Sequence, residues 1–292
     1  MIDTATNRIS TATIKTGPFP SAIAISPDGD RAYVVNARLA GNGSVSVIDT
    51  ATNKLAVKAI GVGRDPEQIA ISPDGSRAYV TDFGSNAVSV IDTSSLTVAA
   101  IKVGRGPVAV ATSADGGRVY VTNSRSDSVS VIDTVKNETI KSVKVGDAPS
   151  AIAISPDGTR AYVANTRDDT VSAIDTATNK VVKQIRTGDT PTAIAISRDG
   201  RRAYVANARE NSLSVINLTT EKSDKQIEVG HRPTAIAITP DGRRAYVTSL
   251  EPGLVSIVDT ATRRATGAIG VGPLPIALAI TPDGRRVYVV KN

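Results

Sequence analysis

The 292-residue chain has no cysteine and no tryptophan, a single histidine and only two phenylalanines. Without cysteine there is no disulfide, no thiolate metal site, no c-type haem attachment and no cysteine nucleophile. His231 alone excludes any site that needs two imidazoles, which covers most protein zinc centres. No apolar run approaches the roughly 18 to 20 residues of a membrane span, and no charged-then-apolar leader opens the sequence. The chain as written therefore reads as soluble, without a membrane span and without a visible targeting segment. Lys plus Arg number 34 against 28 Asp plus Glu, a net charge of +6. That excess is too small to mark a nucleic-acid protein until the placement of the charges is known.

What the chain does have is a period. Its seven tyrosines stand at Tyr33, Tyr79, Tyr120, Tyr162, Tyr204, Tyr246 and Tyr288, with spacings of 46, 41, 42, 42, 42 and 42. A repeat of this length is one supersecondary unit. Each unit holds four short β-like segments, as in Ala151-Ile152-Ala153-Ile154, then Arg-Ala-Tyr-Val, then Val-Ser-Ala-Ile-Asp, then Lys-Val-Val-Lys-Gln-Ile. Val, Ile, Thr and Tyr favour a pleated sheet, and no segment shows sustained helical periodicity. Ser-Pro-Asp-Gly suits a type I turn followed by a left-handed glycine, and Asn7, Asn53 and Asn179 fall where φ can be positive.

The chain starts and stops midway through a unit, and joining the ends leaves 37 residues between Tyr288 and Tyr33. The N-terminal segment thus completes the last unit and leaves no open sheet edge. The fold class follows: all-β, one domain over residues 1–292, a seven-bladed β-propeller with four antiparallel strands per blade, its ring closed by the N-terminal segment. The closing blade is five residues short, so its third strand is a stub at Met1-Ile2-Asp3. A native chain that begins further upstream is the expectation.

The second-strand motif reads Tyr120-Val121-Thr122-Asn123 in full once, with variants such as YVVN, YVTD and YVAN elsewhere. With SPDG before it and VIDT after it, the chain resembles the YVTN family of seven-bladed propellers along its whole length. The resemblance implies a cell-surface or envelope protein, exported to the periplasm or beyond, and a binding scaffold more than a defined chemistry. Relatives of that family include lactonase-like and lyase propellers and a periplasmic type linked to single-stranded DNA. The repeat residues are the family's scaffold, so no catalytic set transfers from them.

Repeat columns are discounted first. The turn aspartates, such as Asp157, and the strand-end aspartates, such as Asp175, read as turn caps. They lack the clustered spacing of a calcium loop. The arginine after each turn, such as Arg160, is expected to pair with those acids. Function belongs where blades differ, on the loops between blades and between second and third strands. Those loops offer Arg64, Asp65, Arg105, His231 and Arg232 between blades. Arg38, Arg125, Arg167 and Arg209 form a partial guanidinium ring suited to a carboxylate or phosphate. Blade 2 departs most from the repeat, with Glu67-Gln68 in its first strand and Asp82-Phe83 after its second, a candidate ligand edge with an exposed aromatic. The loop from Asn36 to Ser44 is longer than its counterparts, and its Gly41-Asn42-Gly43 tip suggests mobility.

These patterns point to a binding scaffold rather than an enzyme, a monomeric domain with no metal and no cofactor. Its loop face would meet a protein, a glycan or a small acidic ligand. One alternative is a lactonase-like hydrolase or lyase that uses His231 with Glu67 and Asp82. Another is single-stranded nucleic-acid binding, for which Phe83 and Phe19 are meagre stacking groups. The predicted loop face carries eight basic against ten acidic residues. The basic excess therefore lies on the opposite face and the outer rim, where an acidic envelope polymer would fit.

Overall fold

A computed structural model describes residues 1–9, 13–37 and 41–292. Arg38 lies outside the described residues. The described chain is seven four-stranded antiparallel sheets without a helix, the blades of a seven-bladed β-propeller. It packs as two compact units: Ala12–Lys144, which holds blades 1 to 3, and Met1–Thr11 with Val145–Asn292, which holds blades 4 to 7.

Blade 4 shows how the sequence makes each sheet. Its strands are Pro149–Ile154, Arg160–Asn165, Thr170–Asp175 and Lys180–Arg186. The middle two are buried on both faces, so they read as near-continuous runs, Ala161-Tyr162-Val163-Ala164 and Val171-Ser172-Ala173-Ile174, rather than an alternating pattern. The fourth is largely exposed and carries Lys180, Lys183 and Arg186. In the first turn, Ser155 Oγ donates to Asp157 Oδ1 at 2.5 Å and the Thr159 amide donates to the same oxygen at 3.0 Å. Gly158 takes φ +71°. In the last turn Asn179 takes φ +53°, as do Asn7 at +52° and Asn53 at +55°.

Hydroxyl hooks tie blade 1 to blade 2 and join blades 4 to 7 in series. Ser150, Thr192 and Thr234 donate to the carbonyls of Pro191, Pro233 and Pro275, each at 3.0 Å. Ser21 does the same to Pro66 at 3.1 Å in the other unit. The column arginines differ from expectation. Arg160 bridges a strand-end acid, Asp175. Arg77 Nη1 instead donates to the Thr134 carbonyl of the following blade at 2.6 Å, and Arg244 Nη1 to the Thr4 carbonyl at 2.8 Å. Turn carboxylates already hold hydroxyl and amide donors, so the long guanidinium reaches past them to the neighbour's carbonyls. Tyr246 works alongside, its hydroxyl 2.9 Å from Asn7 Oδ1.

Blade 7 is built from both chain ends. Its order is Arg8–Ile9, Ile2–Asp3, Arg286–Lys291, Pro275–Ile280, with Ile2 opposite Val287 and Asp3 opposite Arg286. The third strand is the expected stub, and Ile2 within it is fully buried. In blade 1, Asn42 and Gly43 belong to the third strand Asn42–Asp49, with Asn42 opposite Arg64, and not to a loop tip.

Candidate functional site

The candidate site in the unit of blades 1 to 3 starts from a column of buried amides. Second strands end in Asn36, Asn123, Asn165 and Asn207, each donating from Nδ2 to a third-strand serine at 2.9 to 3.0 Å. In blade 2 the column residue is Asp82, 1% exposed. Ser89 Oγ donates to Asp82 Oδ2 at 2.6 Å, while Oδ1 has no partner. The Oδ1 atoms of Asn123, Asn165 and Asn207 are also unpartnered. A neutral amide tolerates that far better than a carboxylate does. Burial accordingly raises the Asp82 carboxyl from 3.8 to about 6, against the pull of hydrogen bonds from Ser89 and Gly63. Gly63 is required here, because a Cβ would sit 2.5 Å from Asp82 Cγ. Asp82 thus lies inside the sheet rather than on a loop-face ligand edge.

The next residue turns outward. Phe83 is half-buried rather than exposed, because the Arg125 guanidinium lies over its ring, 4.4 Å from the centroid. Such a cation–π contact holds an exposed guanidinium in place. Gly106, at φ +62°, makes the stack possible, since a Cβ there would meet Arg125 Cγ at 2.9 Å and Phe83 at 3.1 Å. Backbone bonds fix the surrounding loops. The amides of Phe83 and Gly84 donate to Asp65 and Arg64 at 3.0 Å, and the Arg125 amide donates to the Arg105 carbonyl at 3.1 Å. Arg64 Nη2 donates to the Gly84 carbonyl at 2.9 Å. The side chains of Arg64, Arg105 and Arg125 are exposed around this frame.

The first strand of blade 2 splits its two unusual residues. Gln68 Oε1 accepts the Val110 amide at 2.7 Å, so its amide group fastens blade 2 to blade 3. Glu67 reaches the surface, yet the protein crowded around it and the charge of Asp65 raise its carboxyl pKa.

In the other unit the candidates are more local. Arg167 pairs with Asp147 and Arg232 with Glu251, both at 3.6 Å and both exposed. Arg209 is exposed and has no ion pair among the described residues. His231 is exposed at the start of its strand, opposite Glu251. Among the described residues no three His, Cys, Asp or Glu groups gather to hold a metal ion.

Spacing alone does not show the Arg125–Phe83 stack. The available signal is that the two lie 42 residues apart, one period, so they occupy corresponding loops of adjacent blades. Gly106 is the second signal. At that position before the first-strand proline the other blades carry Phe19, Asp65, Ala148, Thr190, Arg232 and Leu274.

Fold and loops together define a repeat propeller: a near-uniform strand scaffold with its chemical variety in the loops and turns. The chain belongs to the YNCE-like beta-propeller family, whose model matches residues 76–195 and 120–244, together more than half of the sequence. It is similar to a chain of the Kuenenia stuttgartiensis hydrazine synthase, with a TM-score of 0.83 at 22% identity over 97% of this chain and 98% of that one. At that identity the likeness speaks for the fold. With 1605 solved chains matching, the fold by itself selects no function. No curated protein sequence matches the chain.

Proposed function

We propose that this propeller is a non-catalytic binding module of the cell surface or envelope, and that its loop face at blades 2 and 3 receives an anionic group of a protein, a glycan or a small acid. The observation that carries this reading is the guanidinium of Arg125 stacked on Phe83 between exposed Arg64 and Arg105. A stacked guanidinium loses little freedom on binding and presents its fork to a carboxylate or phosphate. A lactonase or lyase reading draws little from these residues. Asp82 is sealed from solvent, and His231 has Glu251 opposite it and Arg232 beside it rather than a nucleophile to activate.

The test uses citrate and inorganic phosphate as probes, followed by calorimetry and by NMR of the loop amides. Arg125→Ala and Phe83→Leu should each weaken citrate binding about tenfold, and Arg209→Ala should leave it unchanged. Shifts that spare the amides of Phe83 and Arg125, or equal affinity in all variants, would refute the assignment. Lactone turnover that disappears in His231→Ala would replace this reading with the enzymatic one.

A further inference from the structure

The first-turn tips of the blades are not alike in charge. The residue before the column arginine is Asp30, Ser76, Gly117 and Thr159 in blades 1 to 4, but Arg201, Arg243 and Arg285 in blades 5 to 7. Blade 5 adds Arg198 where most blades have proline. The first turns of blades 5 to 7 therefore carry seven arginines against three aspartates, while those of blades 1 to 4 carry four against five. All of the biased turns lie in one compact unit, on the side opposite its second-to-third-strand loops.

These turns are fixed, and their acids are already engaged. Asp199, Asp241 and Asp283 each accept the amide of the following arginine at 3.0 Å. The same oxygens accept the hydroxyls of Ser197, Thr239 and Thr281 at 2.5 to 2.6 Å. Arg198 Nη1 donates to the Pro240 carbonyl at 3.0 Å and joins the turn of blade 5 to that of blade 6. Arg201 and Arg243 extend from this frame into solvent, and Arg285, also exposed, keeps its Nε 3.9 Å from Asp283 Oδ2. Between blades 6 and 7 lies a groove of about 260 Å³, walled by Thr4, Thr239, Asp241, Arg243, Arg244 and Asp283.

We propose that the turn side of blades 5 to 7 binds a linear acidic polysaccharide. The groove is smaller than the roughly 300 to 1,000 Å³ of a site that encloses a free ligand, so a ligand held here keeps most of its length on the surrounding surface. Its walls are hydroxyls and charged groups, suited to a hydrated sugar. None of the exposed large apolar side chains (Ile9, Phe19, Leu55, Val98, Val135, Ile140, Val182, Leu274) belongs to these turns. The surface thus lacks the stacking aromatics of a single-strand nucleic-acid site and the apolar anchors of a membrane surface. Every added charge is an arginine, whose planar fork matches a uronate carboxylate. The same turn recurs in three consecutive blades, so one long chain reaches several arginines and each contact makes the next intramolecular.

The proposal concerns a different surface from the loop-face site and stands or falls separately. The probe is an alginate oligomer, with labelled poly-dT and phosphatidylglycerol vesicles as competing polyanions, titrated at several salt concentrations. The native chain should bind alginate at low salt. Combined Arg201→Ser, Arg243→Ser and Arg285→Ser should weaken binding at least tenfold and flatten the salt dependence by about three counterions. Ser76 already serves this position in blade 2, where its amide bonds Asp74, so the triple variant keeps its fold. Arg→Lys at the same three positions preserves charge and should still bind more weakly than the native chain. Combined Lys54→Ser, Lys141→Ser and Lys183→Ser removes equal charge from fourth strands and should change affinity less than threefold. No alginate binding, an equal loss in the lysine variant, or tighter binding of poly-dT or of vesicles would each overturn the proposal.

Discussion

Replacing Asp82 by asparagine tests the site chemistry at one buried atom pair. The substitution leaves the shape of the side chain almost unchanged and restores the residue that blades 1, 3, 4 and 5 carry in this column. In the native chain the carboxyl loses its proton near 3.8 when unfolded and at about 6 when folded. Between those values the folded state binds more protons than the unfolded one, so stability falls as pH rises through the window. Below pH 3.8 the carboxyl is neutral in both states and costs nothing. Above pH 6 the full penalty is present, about 3 kcal/mol for that gap at 1.36 kcal/mol per pH unit. Asparagine carries no such penalty at any pH. Its Nδ2 donates to Ser89 Oγ as Asn165 does to Ser172 at 2.9 Å. The Ser89 hydroxyl then turns to a backbone carbonyl, as Ser46 does to Lys58 at 2.7 Å.

The expected result is an Asp82→Asn variant with native stability at pH 3.5, a rising advantage between pH 4 and 6, and a plateau near 3 kcal/mol above pH 7. Urea unfolding followed by circular dichroism across that range measures it, and the melting temperature at pH 8 should rise by roughly 5 to 10 °C. A gain of the same size at pH 3.5 and pH 8 would mean that packing rather than charge separates the two residues. No gain at pH 8 would mean that Asp82 ionises without penalty, and the burial argument would fail.

Other perturbations follow from the same contacts. Gly63→Ala drives a Cβ to 2.5 Å from Asp82 Cγ in the sheet interior and should cost about 1 to 3 kcal/mol, whereas Gly61→Ala, with nothing within 4 Å, should be neutral or slightly stabilising by the same urea assay. Ile2→Ala empties a fully buried position in a two-residue strand and should cost about 2 to 5 kcal/mol. Hydrogen exchange should then show the amides of Arg286–Lys291 opening early, because Val287 loses its partner across the strand pair. Tyr246→Phe removes the hydroxyl that holds Asn7 and should cost about 1 kcal/mol, with exchange raised at Arg8–Ile9.

How much of this was legible in the sequence depends on repetition. Turn demands appear seven times, so a glycine such as Gly158 or an asparagine such as Asn179 declares its positive φ without any coordinates. The two-residue stub of blade 7 follows from arithmetic on the period. Contacts between blades are harder, because Arg77 could reach its own turn acid or the Thr134 carbonyl, and only the packing of adjacent sheets decides. The residues that break the repeat in blade 2 teach the most. Glu67 removes the hydroxyl that Ser21, Ser150, Thr192 and Thr234 use to hold the next blade. Thr81 donates to the Val108 carbonyl at 2.9 Å and Gln68 accepts the Val110 amide at 2.7 Å in its place. Gln68 is therefore a repair and needs no ligand to explain it. Asp82 has no such compensation, since its second oxygen stays unpartnered and its charge is opposed by burial. A departure from the repeat becomes evidence for function only after its structural repairs are subtracted. By that standard the pair Arg125 and Phe83, which repairs nothing in the scaffold, is a better basis for the proposed anion site than the more conspicuous acids beside it.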